Sequence, residues 1–208
     1  MSPDLAAIAL IALLASVDRQ ANAGDSVSQA FGATGRIGDE PEHSWVQGTE
    51  AAVRSMFMRH REESPAVIQA PQSVSGSELV AGGDNFAAQA QRICAMPERP
   101  QRVYVLFGGN DVCNRERATG DDAAANLYSV ETYVNALRAG LDQLADCLPL
   151  GAAVHVVSAP RVDFLYEAGR EKSVWCPVVW STVGICRVVT AEHDAARRLA
   201  IGRRIDAY

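Results

Sequence analysis

Between Arg102 and Val157 the chain holds two short β-branched runs on either side of one long amphipathic run. Arg102-Val103-Tyr104-Val105-Leu106-Phe107 reads as a strand, β-branched and aromatic, and it stops abruptly at Gly108-Gly109. Ala153-Val154-His155-Val156-Val157 reads as a second buried strand, closed by Ser158-Ala159-Pro160. Between them, Ser129 to Leu148 carries Val130, Tyr133, Val134, Leu137, Leu141, Leu144 and Leu148 at three- and four-residue steps, which predicts a helix with one apolar face. Two strands joined through a long helix favour neighbouring parallel positions in one sheet.

The same alternation runs through the rest of the chain. Thr49 to Glu63 reads as a helix with Ala52, Val53, Met56 and Phe57 on one stripe, ended by Pro65. Ala66-Val67-Ile68-Gln69-Ala70 follows as a short buried strand, Asp84 to Ala95 as a helix, and a last helix capped by Thr190 carries Ala195, Leu199 and Ile205. Helices alternating with strands predict an α/β fold of three layers, a parallel sheet covered on both faces. At 208 residues, 48% of them hydrophobic, the chain suits a single domain, which we expect over 24–208.

Residues 1–23 form an N-terminal apolar segment with two readings. Ala6 to Ala15 has the length of a signal-peptide core, and Ala21-Asn22-Ala23 has the small-x-small form of a cleavage site, although Asp4 stands where a basic residue is usual. Alternatively, Ala7 to Ala15 is the first buried strand, separated from Gly24 by the polar Asp18, Arg19, Gln20 and Asn22. The run is too short to span a membrane, so no integral membrane segment is expected.

A formal net charge of −6 gives no reason to expect nucleic acid as a partner, since phosphate binding needs a basic surface. Five cysteines, at 94, 113, 147, 176 and 186, show no paired spacing of a zinc site, and no metal or other cofactor is expected. Cys176 and Cys186 flank a loop-like stretch from Pro177 to Ile185 and suggest a disulfide that closes it, in a secreted or periplasmic protein.

Three turn-like segments carry the chemistry. Ala23-Gly24-Asp25-Ser26-Val27-Ser28-Gln29 presents a serine beside an acid and leads into a possible helix; Ser26 is the candidate nucleophile, which needs a base and oxyanion donors to act. Val74-Ser75-Gly76 follows one apolar run. Gly108-Gly109-Asn110-Asp111 follows another, where the glycines allow close backbone approach and the asparagine amide is a neutral donor suited to an oxyanion. In a parallel sheet such segments converge beyond the carboxyl ends of the strands.

In order and setting, these segments resemble the first three sequence blocks of the SGNH or GDSL hydrolases, over roughly Gly24 to Pro160. Ser44-Trp45 with Gly48, then Gln89, then Cys113 are similar to flanking residues of bacterial secreted lipase-like members. The resemblance implies a parallel, flavodoxin-like sheet and a small-molecule or lipid ester as substrate. It implies that Ser26 attacks the ester carbonyl while the Ser26 N–H, the Gly76 N–H and the Asn110 side chain hold the oxyanion. Asp25 and Asp111 would shape their turns. The family's Asp-x-x-His block is absent, and of the four histidines, His60 is expected on a solvated helix face, His155 in the core, His43 on a loop and His193 in a first helical turn. The expectation is therefore an enzyme that lacks its last strand and its base, or a lipid- or carbohydrate-binding domain that keeps the cleft without the reaction.

Overall fold

The computed structural model describes residues 18–208. Its centre is a four-stranded, wholly parallel sheet in the order β2-β1-β3-β4. The strands are β1 (Arg19–Gly24), β2 (Ile68–Pro71), β3 (Arg102–Leu106) and β4 (Ala153–Val157). Helices flank the sheet, so the α/β layout expected from the alternation is present, and the strand order is consistent with a flavodoxin-like arrangement. From β1 the chain goes to one side for β2 and returns to the other for β3 and β4. The strand order therefore reverses between β1 and β3, at the crevice where such sheets bind ligands.

The first strand corrects the reading of Asp18, Arg19, Gln20 and Asn22 as a separating stretch, because Arg19 to Asn22 are β1 itself. A polar central strand is stable here because its two faces bury differently. Ala21 and Ala23 enter the apolar core, while on the opposite face Gln20 donates to the Val46 carbonyl (2.9 Å) and Asn22 donates to Gln47 Oε1 and Ser73 Oγ (3.1 Å each). Buried amides with partners avoid the cost of buried orphans. The strand placed over 7–15 lies outside the described residues.

On the apolar face, helices α2 (Phe86–Ala95) and α4 (Val130–Cys147) cover the sheet. Phe86, Ala90, Ile93, Tyr133 and Leu144 pack on Ala21, Ala23, Val103 and Val105. Gly140 lets the two helices close up, since a Cβ there would stand 2.3 Å from the Phe86 ring. A disulfide between Cys94 and Cys147 ties the same pair together. Ser129 caps α4 by accepting from the Thr132 N–H at 3.0 Å, close to the expected start.

The opposite face carries α1 (Met56–Glu63), shorter than the helix expected from Thr49. Arg54 at φ 48° breaks the helical path, and Ser55 begins it again by accepting from Met58 N–H at 3.1 Å. His60 on α1 is buried, not solvated: its Nε2 lies 2.6 Å from Asp18 Oδ2 and its Nδ1 3.4 Å from Gln20 Oε1. His155 departs from expectation in the other direction, exposed and stacked on Tyr104 at 4.8 Å between ring centres. The reason is position. β2 and β4 are the edge strands, so Ile68, Val156 and Val157 are exposed where fully buried strands were expected.

Beyond β4 the chain folds as short helices: α5 (Leu165–Lys172), α6 (Cys176–Val183), α7 (Arg187–Thr190) and α8 (Ala195–Asp206). α6 replaces the expected loop, with Pro177 in its first turn where a missing N–H costs nothing. Asp194, rather than Thr190, caps the last helix by accepting from Ala196 and Arg197 N–H groups. The expected Cys176–Cys186 bridge is absent: Cys186 pairs with Cys113, and Cys176 is a free thiol. Among the described residues no helix is long and apolar enough to cross a membrane.

Candidate active site

β1 and β3 lie side by side and end level with each other, Gly24 facing Leu106. Gly24 is forced. A Cβ there would stand 2.4 Å from Ser28 Oγ and 2.7 Å from the Leu106 carbonyl. The buried Gln89 of α2 holds this residue from both sides, accepting from its N–H at 2.7 Å and donating to its carbonyl at 2.9 Å. The chain then turns. Asp25 O accepts from Ser28 and Gln29 N–H, Ser26 O accepts from Phe31 N–H, and Asp25 Oδ1 accepts from Val27 N–H at 2.9 Å. The segment stays a chain of turns instead of the helix considered from sequence.

β3 leaves through Gly108, at φ 113°, where a Cβ would meet Ala159 at 2.5 Å and the Tyr133 hydroxyl at 2.9 Å. This close passage brings a five-residue helix, α3 (Gly109–Cys113), against the Asp25 turn. Asn110 stands in its first turn and donates through Nδ2 to the Ser77 carbonyl at 2.9 Å. Asp111 points inward and accepts from the N–H groups of Leu79 (2.8 Å) and Val80 (3.0 Å). It thus braces the 74–80 segment as well as its own turn.

Ser26 and Asn110 line one open cleft of about 570 Å³ at the point where the strand order reverses. Ser26 is half-buried. The cleft walls are mostly apolar: Val27 and Phe31 come from the serine turn, and Val162, Leu165 and Ile185 from the chain after β4, with Arg161 as a charged side chain beside them. Gly76 is elsewhere. With φ 86°, it lines a neighbouring cavity of about 350 Å³ beside Ser75, Ser77 and Glu78. Asn114 borders both cavities, and the bond from Asn110 to Ser77 joins the two loops. Among the described residues the N–H groups of Ser26 and Gly76 donate to no protein acceptor.

Asp25 also lines the cleft, and its carboxyl is strongly perturbed. Burial raises its pKa from 3.8 to about 6; the Val27 N–H opposes the shift and the nearby Asp111 charge adds to it. Oδ1 is bonded, but the buried Oδ2 has no hydrogen-bond partner. Burial likewise raises the Asp111 pKa, against its two backbone bonds. The sequence pairs Asp25 with Ser26 as neighbours, yet the solvation of the acid depends on α3 closing over it. That closure leaves no local signal.

No histidine lines the cleft among the described residues. His60 belongs to the Asp18 pair, His155 stacks on Tyr104, and His193 Nδ1 lies 3.2 Å from the Tyr166 hydroxyl. His43 sits in a single 3₁₀ turn, Pro41–His43. The apolar wall was also missed from sequence, because Phe31, Leu165 and Ile185 come from separate short elements with no shared period.

No protein-family profile and no curated protein matches this chain. One solved structure aligns with 69% of the chain at 14% identity and a TM-score of 0.40, a likeness too slight to bear on the site. The chain covers 57% of that structure's length.

Proposed function

We propose that this chain is a serine ester hydrolase of the SGNH type, with Ser26 as nucleophile. One observation carries the reading: the serine that leaves β1 and the asparagine that leaves β3 face a single cleft at the reversal of strand order. In this reading Ser26 Oγ attacks the ester carbonyl carbon, and the resulting oxyanion is held by the Ser26 N–H and the Asn110 side-chain amide. Asn110 Nδ2 carries two hydrogens, one on the Ser77 carbonyl and one left for the oxyanion. The Gly76 N–H is the third donor of the family pattern, and its loop is tethered to Asn110 through Ser77. Collapse of the tetrahedral intermediate expels the alcohol and leaves an acyl-serine, which water then hydrolyses.

A second reading has its own support, the absence of histidine from the residues that line the cleft. It makes the same site a lipid- or carbohydrate-binding cleft in which Ser26 and Asn110 only hydrogen-bond the ligand. A general base contributes about 10²- to 10⁴-fold to such reactions, so the hydrolase reading expects slow turnover. The two disulfides are consistent with an oxidising compartment, and we place the protein outside the cytoplasm.

Turnover of p-nitrophenyl acetate by the wild type, Ser26→Ala and Asn110→Ala separates the readings. The hydrolase expects a slow rate that Ser26→Ala abolishes and Asn110→Ala lowers by about 100-fold. A wild-type rate equal to that of Ser26→Ala removes Ser26 from turnover of this ester.

A further inference from the structure

The apolar cleft does not end at its own walls. Cys113, Asn114 and Gly184 also border a second hollow of about 470 Å³, so the two adjoin and differ in character. On the cleft side the lining includes Phe31, Leu165 and Ile185, with Arg161 there held by Asp163 and Asp206. Phe31 and Ile185 are half exposed, at 51% and 50%. Beyond Asn114 the lining is Arg115, Arg117 and Arg187, with Glu116 as the acid among them.

The three arginines are not equally neutralised. Arg115 bonds Glu78 and stacks on the Tyr128 ring at 4.7 Å, but its buried Nε has no acceptor. Arg117 reaches Glu192 at 3.3 Å. Among the described residues Arg187 has no acidic partner, and it is exposed. Two of the three cations are thus paired, so among the described residues the unpaired positive charge of this hollow is that of Arg187, beside the apolar cleft that Ser26 lines.

Resting on the hydrolase reading above, we infer that the substrate is an amphipathic ester: an aliphatic acyl chain lies against Phe31, Leu165 and Ile185, and an anionic alcohol portion lies over Arg115, Arg117 and Arg187. The carbonyl then sits between the two parts, at Ser26 and Asn110. Each methylene moved from water to an apolar wall favours the longer acyl chain by about fourfold. A carboxylate beside an arginine at a solvent-facing rim adds a smaller, salt-sensitive preference. A small acetyl group would leave Phe31 and Ile185 uncovered.

Three phenyl esters test this with one readout, the released phenol: 4-(octanoyloxy)benzoate, its neutral twin 4-(octanoyloxy)benzamide, and 4-acetoxybenzoate, with Ser26→Ala as the blank. The expected kcat/KM favours octanoyl over acetyl by about 50-fold, a discount on full burial of six methylenes, and the benzoate over the benzamide by about fivefold. Phe31→Ser lowers the first ratio, Arg187→Glu brings the second to one or below, and raising the salt to about 0.5 M shrinks the second in the wild type. Both side chains are exposed, so neither change opens a core cavity. If either wild-type ratio is one, the inference is overturned while the hydrolase reading stands. Release no faster than the Ser26→Ala blank from all three esters sinks the hydrolase reading and this inference together.

Discussion

Ser26 and Asn110 stand on turns that leave the two central strands, whereas Leu165 and Ile185, across the same cleft, stand in a layer of short helices beyond the sheet. The first pair is fixed by backbone approach and buried bonds: Gly24 without space for a side chain, Gln89 bonded to both sides of that glycine, Asp111 bonded to Leu79 and Val80. The helical layer is joined differently. The Cys113–Cys186 bridge, the Arg161–Asp206 and Arg198–Glu167 ion pairs, and a core of Val188, Val189 and Ile201 hold it against α3 and α8. Its outer side leaves Trp175, Val178, Val179 and Val183 exposed. In the proposed reading the reacting groups sit on turns that leave the central sheet, while Leu165 and Ile185 of the apolar wall belong to a layer held by its own bridge and core.

Breaking the bridge is the harshest test of that division. Replacing Cys113 and Cys186 together with serine opens a link across 73 residues of sequence and should cost about 3–4 kcal/mol. Hydrogen exchange should then quicken over 162–190 while the amides of β1 and β3 keep their protection. Equal loosening of both regions would show floor and wall to be one cooperative unit.

Gly24→Ala attacks the floor instead. Its Cβ meets the Leu106 carbonyl, part of the backbone of the neighbouring strand, so the cost should be about 2–3 kcal/mol and should appear as a lower urea midpoint. Gly184 in the wall supplies the contrast. Its φ is 86° with nothing near a Cβ, so Gly184→Ala should cost only about 1 kcal/mol.

Asp25 sharpens the comparison through pH. Its folded pKa, about 6, lies above the ordinary 3.8, so the folded state holds its proton more tightly than the unfolded state does. The stability tied to that proton is fully present below the unfolded value and is lost as pH rises through about 6. Asp25→Asn keeps an oxygen for the Val27 N–H and carries no charge, so it should stabilise the protein by roughly 2 kcal/mol at pH 8 and far less at pH 4.5. Equal offsets at the two pH values would remove desolvation of Asp25 as the cause.

The parts of the fold readable from sequence are those whose burial has a period. β3 and α4 announce themselves through Val103, Val105, Tyr133 and Leu144, and both lie within a residue or two of the expected ends. β1 was hidden because Gln20 and Asn22 are satisfied by Val46, Gln47 and Ser73, partners 26, 25 and 51 residues away. Cysteine pairing was hidden for the same reason: nearness in sequence suggested Cys176 with Cys186, while α7 folds Cys186 against α3. At the site, Asn110 was placed because it follows the readable strand β3, whereas Ser26 was picked out by its Gly24-Asp25-Ser26 turn alone, before its strand was visible. The apolar wall was not, since it is assembled from the serine turn, a 3₁₀ turn, α5 and the residues before α7.

The most direct test of Ser26 as a nucleophile is covalent. A fluorophosphonate should form one adduct through the Ser26 oxygen with loss of fluoride, seen by intact mass and located in the tryptic peptide Gln20–Arg36, and Ser26→Ala should abolish it. An adduct that persists in Ser26→Ala, or a wild type that forms none after prolonged exposure at pH 8, would contradict the assignment.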